Sequence, residues 1–225
     1  YQAMWATIRD EGVWHGEIWN RRKNGEIYPE RLTVAALADR NGRVTHYVGS
    51  FVEASRIKEQ EKRLQRLAMY DDLTGLPNRR LLQSHLDQAM ARSQRYERLL
   101  AVCMLDLDGF KPVNDRYGHD AGDQVLVALG GRLPEALRRT DLVARFGGDE
   151  FVLLVEDLAH LDDLVPILDK VQAAITEPIV LGNGETIQVG TSMGVYLYPC
   201  GDEASGDQLL RCADQALYDS KTHKG

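Results

Sequence analysis

Cysteine is scarce in this chain of 225 residues. Cys103, Cys200 and Cys212 are odd in number and form no Cys-x-x-Cys pair. That usage excludes a disulfide framework and fits a reducing cytoplasm, with Cys103 serving as a small hydrophobe inside an apolar run. Basic charge is not in excess: the formal net charge is −7, which leaves no footprint for direct nucleic-acid binding. No apolar run approaches the ~20 residues that cross a bilayer, and no signal peptide is visible. Internal repeats and low-complexity stretches are also missing. The first residue is Tyr1 rather than Met, so a fragment of a longer protein is expected, with any membrane anchor outside it.

What is present is an ample apolar supply, 44% of residues, in a chain longer than one average domain. The most informative stretch is Gly147-Gly148-Asp149-Glu150-Phe151, set between the apolar runs Leu142–Ala144 and Phe151–Val155. It reads as a β-hairpin with acids at its tip. The same residues suit an ordinary solvated turn, but a second acidic strand end lies about forty residues upstream. Leu99–Leu105 is a run suited to a central strand buried on both faces, and it ends in Asp106-Leu107-Asp108-Gly109-Phe110-Lys111. Asp106 and Asp108, two apart, share one side of an extended strand. Carboxylates there are costly unless hydrated, paired or bound to metal. Two such strand ends favour a shared magnesium site completed by substrate phosphates.

Between them, Asn114-Asp115-Arg116-Tyr117-Gly118-His119-Asp120-Ala121-Gly122-Asp123 reads as a polar loop feeding a helix around Val125. Asp120 and Asp123 suit N-caps or first-turn acids. An amide beside an acceptor-only carboxylate, as in Asn114 with Asp123, also suits the N1–H and N2–H₂ edge of guanine. Spacing leaves both readings open. His119 is read as a hydrogen-bonder that orders the loop.

Together these pieces resemble the GGDEF family of diguanylate cyclases. The resemblance rests also on Asp71-Asp72-Leu73-Thr74-Gly75-Leu76-Pro77-Asn78-Arg79-Arg80, on Arg145-Phe146 before the glycines, and on Ala213-Asp214-Gln215-Ala216-Leu217-Tyr218-Asp219-Ser220-Lys221. These motifs run from Asp71 to Gly225 in family order. The resemblance implies condensation of two GTP into cyclic di-GMP with release of two pyrophosphates, by a homodimer whose two sites face each other. It assigns magnesium (or manganese) to Asp106, the Leu107 carbonyl and Asp149. Asp149 is also the candidate proton acceptor, and Glu150 completes the acidic cluster. Lys111 would stabilise the reacting phosphates, and Lys221 would lie near the terminal ones. Asn114 and Asp123, with His119, would take the guanine, and Gly148 belongs to the substrate-binding set. The stretch after Lys221 is one residue longer than the family pattern. Arg138-Arg139-Thr140-Asp141 supplies an Arg-x-x-Asp motif that in the family marks an inhibitory cyclic di-GMP site at Arg138 and Asp141; a salt-bridged helix end is the plainer reading of the same residues. A weak module that binds nucleotide to regulate an attached phosphodiesterase is the alternative function.

The implied fold is α/β (α+β, palm-like), a central five-stranded sheet flanked by helices. Helices are expected over Leu81–Arg95, near Leu161–Thr176 with Pro166 at its start or as a break, and over Gln208–Ser220, with a strand over Thr186–Leu197. Residues 1–53 differ. Asn24-Gly25 and Asn41-Gly42 join three strand-like runs into an antiparallel meander, which resembles the C-terminal portion of a PAS sensor domain. Trp14, Trp19 and Tyr47 are read there as core or interface aromatics. Residues 54–70 read as a helical signalling linker, with Ile57, Leu64 and Leu67 in an imperfect heptad register, leading into a catalytic domain over 71–225 located in the cytoplasm.

Overall fold

A computed structural model describes residues 1–53, 66–199 and 204–222. The chain forms two compact units, Tyr1–Arg66 and Leu67–Gly225. The linker reading falls mostly on residues outside those described; residues 66–69 are helical.

The first unit holds helix α1 (Gln2–Glu11) and strands β1 (Val13–Arg21), β2 (Ile27–Ala38) and β3 (Val44–Glu53) in the order β1-β2-β3, all antiparallel. The meander matches the sequence reading. Gly25 and Gly42 adopt φ of +89° and +79°, the left-handed conformation that glycine enters without steric cost. Helix α1 was not anticipated. Met4 and Ile8, one turn apart, bury against Val34 with Trp14, Leu32 and Ala36 packed around them. The Trp14 indole lies over Gly16, where any Cβ would collide with the ring. Tyr47 meets Trp5 edge-on at 5.3 Å, whereas Trp19 is 72% exposed and belongs to no core.

The second unit begins its regular structure with helix α2 (Arg79–Tyr96), whose Asn78 side chain accepts hydrogen bonds from the Arg80 and Leu81 amides. There follow β4 (Leu99–Asp108), α3 (Phe110–Tyr117), α4 (His119–Ala136), β5 (Leu142–Gly147), β6 (Glu150–Leu158), α5 (Val165–Thr176), β7 (Ile179–Val180), β8 (Thr186–Ile187), β9 (Gly190–Tyr198) and α6 (Gly206–Thr222). Pro166 is the second residue of α5, at a helix start where its missing N–H costs nothing.

The central sheet has four strands in the order β5-β6-β4-β9, not the five expected. Ile179–Val180 and Thr186–Ile187 pair with each other in a separate two-stranded ribbon, so the strand expected over Thr186–Leu197 is split between ribbon and sheet. Strand β4 lies between β6 and β9, antiparallel to both. Its side chains alternate between two cores. Ala101, Cys103, Leu105 and Leu107 pack with residues of α3, α4 and α5, while Leu100, Val102 and Met104 pack with residues of α2 and α6. Burial pushes the Cys103 thiol up to about 12, with the Asp141 charge adding to it, so Cys103 is the inert core residue expected.

One approach fixes where α6 can sit. A Cβ on Gly194 of β9 would collide with the Leu217 amide nitrogen and the Ala213 carbonyl and stand 2.6 Å from the Leu217 Cα. The bare Cα of Gly194 lets helix backbone rest directly on the strand.

Candidate active site

Because β4 continues to Asp108, the alternation that buries Leu100, Val102 and Met104 carries Asp106 and Asp108 to the α6 side of the sheet. Asp106 stands opposite Glu150 of β6 on one flank and Ser192 of β9 on the other. The β5–β6 hairpin closes with Gly147 opposite Glu150, leaving Gly148 and Asp149 at its tip. Gly148 has φ of +51°, which explains the glycine. The two acidic strand ends predicted from sequence are therefore neighbours.

Their polar partners differ. Lys221, one turn of α6 beyond the Leu217 contact with Gly194, places Nζ 2.6 Å from Asp106 Oδ1. Asp108 accepts the Ser192 hydroxyl at 2.8 and 3.0 Å. The Thr191 hydroxyl donates to the Asp106 carbonyl at 3.1 Å. Leu107 points its side chain into the opposite core, so only its carbonyl is available as a ligand.

Burial raises the Glu150 pKa, and the charges of Asp106, Asp214 and Asp149 raise it further, with Lys221 partly offsetting them. That crowding of like charge suits a divalent cation. Among the described residues no three His, Cys, Asp or Glu side chains form a ready-made cage. Such a donor set fits magnesium better than a transition metal, because magnesium takes one or two carboxylates and keeps open positions for phosphates. Beside Glu150 lies a cavity of about 450 Å³ lined also by Arg79, Phe146, Asp207, Arg211 and Asp214. The Arg79 guanidinium stacks on the Phe146 ring at 4.6 Å. A cavity of about 720 Å³ against α2, lined by His85, Arg92, Tyr96 and Glu156 among others, contains none of the predicted site residues.

The stretch expected to be a polar loop is instead two helices. Asn114 lies in α3 and Asp123 in the second turn of α4, so Asp123 caps nothing; Asp120 is the first-turn acid. Gly118 separates the helices with φ of +85°, and it was this glycine with its polar neighbours that read as a loop. Lys111 is exposed in the first turn of α3, and His119 is exposed as the first residue of α4.

Residues 68–225 match the profile of the diguanylate cyclase GGDEF domain. The chain belongs to the GGDEF family. The GGDEF domain is 40% identical over 167 residues to the diguanylate cyclase TpbB of Pseudomonas aeruginosa, covering 74% of this chain and 38% of that protein. It is 40% identical over 170 residues to the bifunctional diguanylate cyclase/cyclic di-GMP phosphodiesterase MucR of the same species, covering 76% of this chain and 24% of MucR. This chain thus spans well under half the length of these curated relatives. A solved structure of the TpbB GGDEF domain superposes with a TM-score of 0.65 at 41% identity, over 68% of this chain and 89% of that one. The coiled coil and GGDEF domain of DgcB from Caulobacter crescentus, solved in complex with c-di-GMP, gives a TM-score of 0.67 at 26% identity, over 76% and 89%.

Within this GGDEF domain, Arg138 and Asp141 meet through backbone. The Asp141 carboxylate accepts the Arg138 amide at 3.0 Å and the Glu156 amide at 3.3 Å, and the Arg138 side chain is left exposed. Burial raises the Asp141 pKa, and these hydrogen bonds only partly counter it. The salt-bridged helix end is not what forms. The Glu156 side chain instead grips Arg92 at 2.8 Å through both oxygens.

Sequence reasoning assigned no role to Arg145, Asp214, Arg79 or Arg211. Arg145 ties Asp71 to the carbonyl of Gly148 in the hairpin turn, and Asp214 adds charge beside Glu150. The signal for Arg145 was its place two residues before the glycines, on a strand whose register aims it beside the tip.

Proposed function

We propose that this chain is a diguanylate cyclase, condensing two GTP into cyclic di-GMP and two pyrophosphates as a homodimer with magnesium or manganese. The observation that carries the reading is the register of Asp106 against Glu150, with Asp149 at the adjoining tip and Lys221 at 2.6 Å from Asp106. Asp106, the Leu107 carbonyl and Asp149 would hold the metal, which would lower the pKa of an attacking 3′-hydroxyl. Lys111 and Lys221 supply positive charge for the phosphates, and Asp149 accepts the proton. Asn114, His119 and Asp123 take the guanine, and Gly148 lets the turn approach the substrate. Arg138 and Asp141 bind the product and restrain turnover.

Residues 1–53 act as part of a PAS-like sensor, residues 54–70 as the linker that relays its state, and residues 71–225 as the catalytic domain. A cytoplasmic site of action follows from the substrate. Among the described residues no helix is long and apolar enough to cross a membrane. Purified protein incubated with GTP and magnesium should yield cyclic di-GMP, and chelation should stop it. One observation favours a second reading, a nucleotide-binding regulatory module: a relative 40% identical over 158 residues is named a cyclic di-GMP phosphodiesterase, NbdA of Pseudomonas aeruginosa. Tight nucleotide binding by a verified dimer that makes no product would select it.

A further inference from the structure

Among the described residues, Asn114 Oδ1 is the one buried side-chain polar atom without a hydrogen-bond partner. A buried carbonyl oxygen left unpaired is unfavourable, so what holds it there must be shape rather than bonding. The shape comes from Gly122 on the facing helix. A Cβ on Gly122 would fall on Asn114 Oδ1, with Asn114 Cγ at 3.0 Å and Phe110 Cζ at 3.1 Å. Gly122 does not have the positive φ that makes glycine obligatory elsewhere in the chain. It sits inside α4, where glycine weakens a helix relative to alanine. The backbone has no need of a glycine there; the Asn114 amide does.

We propose that Gly122 is a positioning residue for base recognition: its bare Cα seats the Asn114 carboxamide against α4, beside Asp123, and so sets the preference for guanine. The inference rests on the guanine reading above. Gly130, on the same helix, is the contrast. A Cβ there would meet Thr74 Cβ and its carbonyl at 2.9 Å, so Gly130 serves packing between elements and touches no base-reading residue.

Binding of 3′-deoxy-GTP and 3′-deoxy-ATP, which lack the attacking hydroxyl, tests this by calorimetry on the full chain with magnesium. Gly122→Ala should weaken 3′-deoxy-GTP binding by about tenfold, the loss of one aligned hydrogen bond, and leave 3′-deoxy-ATP unchanged. Gly130→Ala should lower the melting temperature without changing the ratio of the two affinities. In an Asn114→Ala background, Gly122→Ala should cause no further loss, because the amide it displaces is gone. If Gly122→Ala alone fails to fold, the double variant should restore folding; a double variant that also fails to fold overturns the proposal. Wild-type preference for guanine with an unaltered ratio in Gly122→Ala overturns it too, leaving the guanine reading intact. A wild-type protein that binds both nucleotides equally overturns the guanine reading and this inference with it.

Discussion

Arg145 donates from Nη1 to both carboxylate oxygens of Asp71, at 3.0 and 3.2 Å, across 74 positions of sequence. Its Nε donates to the Gly148 carbonyl at 2.9 Å. One guanidinium thus binds the start of the second unit to the turn that carries Asp149.

The first prediction concerns pH. Burial pushes the Asp71 pKa up, but hydrogen bonds from the Thr74 hydroxyl and amide and from Arg145 outweigh it, so the net shift is downward from 3.8. A carboxylate with a depressed folded pKa adds stability above its unfolded pKa and loses it as pH falls through the folded one. Asp71→Asn should therefore melt below wild type at neutral pH, by about 1–3 kcal/mol for a lost charged hydrogen bond. The gap should shrink once the pH drops below 3.8. A gap that stays constant from neutral to strongly acidic pH would contradict the assignment.

The acidic cluster gives the second. Asp149→Ala should reduce cyclic di-GMP formation by at least about a hundredfold, the scale expected for removing a group that stabilises transition-state charge. Glu150→Gln removes one of four crowded carboxylates, so the metal-free variant should melt above wild type at neutral pH while magnesium stabilises it less. Equal magnesium-induced shifts in the two proteins would argue against Glu150 facing the metal.

Gly194→Ala is the third. Its new methyl would meet helix backbone rather than a flexible side chain, so α6 must shift or the strand must bend. Overpacking of this kind costs about 1–3 kcal/mol. The Lys221–Asp106 pair should loosen as α6 moves, raising KM for GTP. A variant with normal stability and normal KM would show that the helix has room the geometry denies.

The fourth tests control. Arg138→Ala should leave the initial rate intact and abolish inhibition by added cyclic di-GMP, followed as progress curves at several product concentrations. The Arg138 side chain is exposed while its amide is held by Asp141, so its guanidinium is presented to phosphate. Undiminished inhibition would remove Arg138 from the inhibitory site.

Much of this site was legible because its signals are local. The Leu99–Leu105 run fixes β4, alternation then carries Asp106 to one side, and Gly148 marks the turn that needs a positive φ. The pairing of Asp71 with Arg145 was not legible, because nothing near either residue names the other. The Asn114–Asp123 stretch misled for a different reason. Its Asn, Asp and Gly residues are turn formers by propensity, yet Phe110, Val113, Ala121 and Val125 bury into the core and draw both segments into helix. The fifth strand was expected from family likeness alone; the short strands β7 and β8 pair with each other rather than with the central sheet. Helix α1 rests on only two buried residues, Met4 and Ile8, too few to stand out as a periodic pattern.

The contact at Gly194 also acts as a clutch on helix phase. With backbone seated on backbone, α6 can neither roll nor slide, so the direction in which Lys221 points is fixed by the three residues between it and Leu217. Each residue added or removed there would swing the ammonium by about 100° around the helix axis, away from Asp106. Residues beyond Lys221 have no such leverage. Length changes after Lys221 would therefore leave its aim untouched, since they fall past the last position that the helix has to point.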